Sequence, residues 1–92
     1  MIQSFADNDT RSLYEGLRVK RFSSFAEQAE RRLAILDAVT LLKDLKGLPS
    51  NCLEKLAGDR KGQYSIRINS QWRICFKWSN DGPSDVEIVD YH

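Results

Sequence analysis

Two places in this chain hold side chains able to move a proton or grip an anion. One lies mid-chain, where Glu54 is followed at a distance by Arg73. The other is the run "VEIVDYH", where Asp90, Tyr91 and His92 are adjacent and His92 is the only histidine. An imidazole, with an ordinary pKa of about 6.5, is the side chain best fitted to proton transfer near neutral pH. An α-carboxylate on the same residue favours its protonated form. Tyr91 offers a flat ring on which a nucleobase can stack, and Asp90 can orient a neighbour. The planar fork of Arg73 matches a phosphate. A carboxylate such as Glu54, set among cations, stays ionised and can accept a proton. Each residue also has a plainer role open to it. Positions 90–92 fit a solvated tail, Arg73 a surface ion pair with Glu87 or Asp85, and Glu54 a capping or surface carboxylate.

The net charge is only +1, but its distribution is uneven. Lys55, Arg60, Lys61, Arg67, Arg73 and Lys77 fall between Glu54 and Trp78, opposed there by Glu54 and Asp59 alone. A second basic group is "RVKR", with Arg18, Lys20 and Arg21. A small domain that is nearly neutral as a whole can still attract a polyanion locally. "GDRKGQ" is basic and flanked by glycine, but it lacks the length and order of a Walker loop. Cys52 and Cys75, with one distant histidine, lack the close pairing of a zinc site, so no metal or other cofactor is expected. Both cysteines read as packing or surface thiols and not as a disulfide.

These residues have 92 positions in which to be arranged. That is one domain over 1–92, with a small core and so a simple fold. No apolar stretch reaches bilayer length, and "MIQSFADNDT" lacks the basic start and apolar middle of a signal peptide. A cytoplasmic protein with no membrane partner is expected. "IQSF" has strand character, and "DNDTRSLYEG" reads as a short helix capped by Asn8 or Asp9 and ended by Gly16. "SFAE" at 24–27 has the form of a capping box. Ala29, Leu33 and Leu36, then Ile35, Ala38, Val39, Leu42 and Leu45, recur at helical spacing. Together these predict one long helix over about 24–46, stopped by Gly47 and Pro49.

The period then changes to two. Tyr64, Ile66 and Ile68 alternate with polar residues, as do Trp72, Ile74, Phe76 and Trp78. "NSQ" and "SNDGPS" (79–84) are turns, and "DVEIVDY" is a third strand. The expected class is α+β: a small antiparallel meander sheet packed against a long helix, plus a short N-terminal helix. If Val86 and Ile88 face the core, Tyr91 shares the polar face with Arg67, Arg73 and Lys77.

The opening "MIQSF", the run "LEKLAGDRKGQYSIRINSQWRICFKW" and the closing "VEIVDYH" resemble the HigB-type toxins of the RelE superfamily over nearly the whole chain. The resemblance implies a RelE-like microbial ribonuclease fold. It implies a ribosome-dependent endoribonuclease that cuts mRNA in the A site and inhibits translation. It also implies a helix-turn-helix (HigA-like) antitoxin as partner, through which the toxin–antitoxin complex binds operator DNA. The family's phosphate-binding arginine falls on Arg73, its acid histidine on His92 and its supporting residues on Asp90 and Tyr91. Glu54 departs: many HigB toxins carry histidine there, whereas YoeB-type relatives carry glutamate. Lysines found beside this site in relatives are matched only in part, by Lys55 and Lys61. Joined to the residue chemistry, the expected mechanism is 2′-hydroxyl attack on the adjacent phosphate without a metal. Glu54 acts as base, Arg73 as charge stabiliser and His92 as acid. Arg60, Lys61, Arg67 and Lys77 hold RNA backbone. A non-enzymatic RNA- or partner-binding module using the same basic face is the alternative. A gyrase-directed relative is disfavoured because such relatives lack the closing D-Y-H.

Overall fold

Helical and strand periods divide the chain near Pro49, and the computed structural model, which describes residues 1–91, follows that division. The element order is α1 (Asn8–Tyr14), a 3₁₀ segment (Lys20–Phe25), α2 (Ala26–Ala38), α3 (Leu42–Lys46), a 3₁₀ turn (Pro49–Asn51), then β1 (Glu54–Lys55), β2 (Gln63–Arg67), β3 (Trp72–Ser79) and β4 (Gly82–Asp90). The four strands form one antiparallel sheet in the order β1-β2-β3-β4. The helices cover its apolar face. Phe22, Leu33, Leu36, Leu45, Ile66, Ile74, Phe76, Val86 and Ile88 meet there with almost no exposure. Fully burying one such side chain is worth about 1.5–3 kcal/mol. Val86 and Ile88 face this core as the alternation predicts.

Three expectations are corrected. The helix over 24–46 is two helices, because the backbone is extended at Val39 (φ −71°, ψ 142°) and Leu41 (φ −128°, ψ 140°), on either side of Thr40. Val39 and Thr40 are adjacent β-branched residues, which resist helical χ1 geometry. The break lets α3 turn Leu45 fully into the core. No capping box forms at Ser24. That residue lies in the 3₁₀ segment, and α2 starts after Phe25 with no side-chain cap. The cap of α1 is Asp7, one residue before the expected pair, with Oδ2 accepting from Thr10 N at 3.2 Å. Gly16 does end the helix, at φ +89°.

The sheet also gains a fourth strand, β1, pairing Glu54 with Ser65 and Lys55 with Tyr64. "IQSF" is only a short parallel addition to β4, with Phe5 opposite Val86. The β3–β4 pairing starts earlier than expected, at Ser79 and Gly82, and contains a bulge between Cys75 and Lys77. Asp85, at φ +50°, absorbs the extra residue there. No helix among the described residues is long and apolar enough to cross a membrane.

Candidate active site

Antiparallel register puts polar residues of neighbouring strands side by side. One row across the polar face reads Glu54, Ser65, Cys75 and Glu87; the next reads Arg67, Arg73 and Val89. Arg73 is therefore flanked by Ser65 and Glu54 on one side and by the end of β4 on the other. It is only 7 % exposed.

The guanidinium is held on two edges. Nε donates to Ser65 Oγ at 2.8 Å, and Nη2 donates to the Cys52 carbonyl and, at 3.4 Å, to the Ser65 carbonyl. The Cys52 carbonyl can reach it because Cys52 is left-handed, at φ 46° and ψ 54°. Buried Asn51 secures this turn, donating to Leu45 O at 3.2 Å and accepting from Arg32 Nη1 at 2.8 Å. Nη1 of Arg73 faces Glu54 Oε1 at 4.0 Å, and Glu54 is half exposed. The Tyr91 ring lies 5.4 Å from the guanidinium carbon. The exposed side chains of Glu54 and Tyr91 thus both approach the guanidinium of Arg73.

The end of β4 is fixed by the β2–β3 turn. Asn69 Oδ1 accepts from Gln71 N and Trp72 N, both at 2.8 Å. Gln71 Nε2 in turn donates to Asp90 Oδ2 at 3.1 Å, and Tyr91 N donates to Gln71 O at 2.6 Å. His92, the expected acid, lies outside the described residues.

The expected RNA-binding cations divide. Arg60 donates to Gln63 Oε1 and pairs with Glu87, both at 3.1 Å, and Lys77 pairs with Asp85 at 3.1 Å. Arg67 is exposed and donates to Asn69 O at 3.1 Å. Lys55 and Lys61 are exposed. Cys52 is an exposed free thiol and Cys75 a buried one. Ser65, Asn51 and Gln71 escaped the sequence reading. Ser65 alone had a signal there, as the small polar residue facing the same way as Arg67 in "YSIR".

A model of the HigB-like toxin family, described as RelE-like toxin of type II toxin-antitoxin system HigB, matches residues 3–92. This chain belongs to that family. It is 39% identical over 94 residues to Toxin HigB-1 of Vibrio cholerae serotype O1, covering 100% of this chain and 98% of that protein. It is 30% identical over 93 residues to Endoribonuclease HigB of Proteus vulgaris, covering 100% of each. The fold matches the YoeB-YefM complex from Staphylococcus aureus with a TM-score of 0.63 at 19% identity, over 100% of this chain and 98% of that one. It also matches the YoeB/ParE toxin from Agrobacterium tumefaciens, at TM-score 0.53 and 19% identity, over 99% and 96%. The HigB-like chain is accordingly a toxin of a toxin–antitoxin system, on the α+β fold expected from its sequence.

Proposed function

We propose that this toxin cleaves mRNA on the ribosome by acid–base chemistry in which the RNA supplies its own 2′-hydroxyl nucleophile. Endoribonuclease activity itself rests on the HigB-like family and the Proteus vulgaris relative. The observation that carries the mechanism is the Arg73 guanidinium, gripped on two edges and open on the third toward Glu54 and Tyr91. A phosphate seated on Nη1 lies next to the Glu54 carboxylate. Glu54 takes the 2′-hydroxyl proton, and the oxygen attacks the adjacent phosphorus. Arg73 stabilises the charge that develops on the phosphoryl oxygens. His92, which follows Tyr91 in sequence, protonates the departing 5′-oxygen. The products are a 2′,3′-cyclic phosphate and a 5′-hydroxyl, and the step needs no metal. Tyr91 stacks on a base, while Arg67, Lys55 and Lys61 meet backbone phosphates. Arg60 and Lys77 join them only by exchanging their carboxylate partners for phosphate.

A shallow, open site makes a modest catalyst for free RNA. A proton-transfer residue contributes about 10²- to 10⁴-fold. Orientation of the message by the ribosome can supply roughly 7–11 kcal/mol more. The antitoxin partner is proposed to be a helix-turn-helix protein of the HigA kind, which carries the complex to operator DNA.

The test is cleavage of mRNA on programmed ribosomes, with the new ends mapped by primer extension and their chemistry read by mass spectrometry. Cyclic-phosphate ends, weak cutting of naked RNA and loss of activity in a folded Arg73→Ala variant are expected. Full activity of that variant, or equal cutting of naked RNA, overturns the proposal.

A further inference from the structure

We infer that Ser65 is a positioning residue for the reaction: its hydroxyl takes up the Nε–H of Arg73, turning Nη1 toward the substrate phosphate without adding a countercharge of its own. The inference rests on reading Arg73 as the phosphate holder.

A guanidinium has five N–H donors in a fixed plane. In Arg73, Nε and Nη2 are directed at Ser65 Oγ, the Ser65 carbonyl and the Cys52 carbonyl. All three acceptors are neutral. The nearest carboxylate oxygen in an ion pair with it, Glu54 Oε1, stands 4.0 Å from Nη1, beyond hydrogen-bond reach. Arg32 and Arg67 also donate to neutral oxygens, whereas three other cations meet carboxylates closely: Arg21 donates to Asp9 at 2.8 Å, Arg60 meets Glu87 at 3.1 Å and Lys77 meets Asp85 at 3.1 Å. Those three have their countercharge already and are far more exposed than Arg73.

Burying a charge is costly unless its hydrogen bonds are satisfied and its charge is matched. Neutral oxygens meet the first need for Arg73, and the pairing with Glu54 meets the second only loosely, at 4.0 Å, which leaves room on Nη1 for an incoming anion. Serine fits that task at position 65. A hydroxyl accepts a hydrogen bond without bringing a charge, and the side chain is small enough to be fully buried between β1 and β3. Alanine would leave Nε unpaired and free the guanidinium to swing toward Glu54. That motion would tie base and phosphate holder to each other.

The experiment measures single-turnover cleavage on programmed ribosomes, with ribosome affinity determined separately. Folding is checked by circular dichroism. Ser65→Ala is expected to slow the cleavage step by about 10- to 100-fold, the scale of one hydrogen bond to a charged group, with ribosome affinity unchanged. Ser65→Thr, which keeps the hydroxyl, is expected to recover most of the rate. In an Arg73→Lys background, which has no Nε–H to place, adding Ser65→Ala should cost less than threefold. Should the alanine variant fail to fold, Ser65→Cys nearly keeps the volume with a weak acceptor, and is expected to be slowed as well. A wild-type rate in a folded Ser65→Ala or Ser65→Cys variant overturns the inference. So does a loss that threonine does not repair, or one that persists in full beside Arg73→Lys. Wild-type cleavage by Arg73→Ala instead overturns the reading of Arg73 on which the inference stands.

Discussion

At the scale of single residues, Cys75 shows what strand alternation tells and what it omits. Alternation places it on the polar face, and the register agrees, setting it between Ser65 and Glu87. Yet it is fully buried. Its neighbours in the row, together with the Arg60–Glu87 pair (3.1 Å), belong to a cover that no period in the sequence reveals. Burial pushes the Cys75 thiol up from its ordinary value, with Glu87 adding to the rise and Arg60 and Arg73 opposing it. The folded chain therefore releases that proton at higher pH than the unfolded chain. The stability this brings is intact below the unfolded value and is lost as pH climbs through the raised one. Near neutral pH, a maleimide should label Cys52 quickly and leave Cys75 untouched until the chain is unfolded in urea. Rapid native labelling of both sites, read by mass spectrometry, would contradict this packing. For the carboxylate beside Arg73, Glu54→Gln keeps the shape and removes the base. Its cleavage rate should fall by about 10²-fold or more. An unchanged rate would assign the proton to another group. The place of Arg73 on the polar face was legible from strand alternation, but that of Glu54 beside it was not, because the two-residue β1 is too short to show a period. The Cys52 carbonyl was not, since a backbone acceptor presented by a left-handed turn has no side-chain signature.

At the scale of elements, the sheet was legible because strand period and burial coincide in Ile66, Ile74, Phe76, Val86 and Ile88. The single long helix fails for the same reason: apolar spacing runs through Val39–Leu41 although the backbone is extended at Val39 and Leu41. Spacing reports which residues seek the core, and a kink can serve them as well as a straight helix. β4 is one of the two edges of the four-stranded sheet, and an edge exposes unpaired backbone groups that invite aggregation. The N-terminal segment protects it. Val86 N donates to Ser4 O at 3.1 Å and Ala6 N to Val86 O at 2.9 Å. Beyond that pairing, buried Thr10 in α1 accepts from Ile88 N through Oγ1 at 3.0 Å. Thr10→Val matches the shape but strands that N–H in the core. The expected cost is about 1–3 kcal/mol, read from the urea midpoint at unchanged slope. A loss well under 1 kcal/mol would mean that water reaches the edge strand there.

At the scale of the molecule, the site and the N-terminus occupy opposite ends of one strand pair. β3 runs eight residues from Trp72, which pairs with Asp90, to Ser79, which pairs with Gly82. That is roughly 23 Å at about 3.3 Å per residue. Arg73 sits at the first end. At the other, Gln3 Nε2 donates to Met1 O and Asp81 O, both at 2.8 Å. Gly82, at φ +122°, has the Met1 carbonyl where a side chain would begin. Gln71 holds Asp90 and Tyr91 at the site end, so the run leading into His92 is delivered to Arg73 by backbone pairing. If His92 is the acid, a variant lacking it loses a proton donor while the core residues from Leu13 to Ile88 stay in place. It should keep its unfolding midpoint and its antitoxin binding, yet cease to arrest growth or to release 5′-hydroxyl ends. A tag fused after His92 should impair cleavage by crowding Glu54, Arg73 and Tyr91. The same tag placed before Met1 lies at the far end of the strand pair and should not. Growth arrest and mRNA cleavage compared at matched expression decide the matter. Full toxicity without His92 would move the acid's role to another group and leave Arg73 and Glu54 as the chemical core of the site.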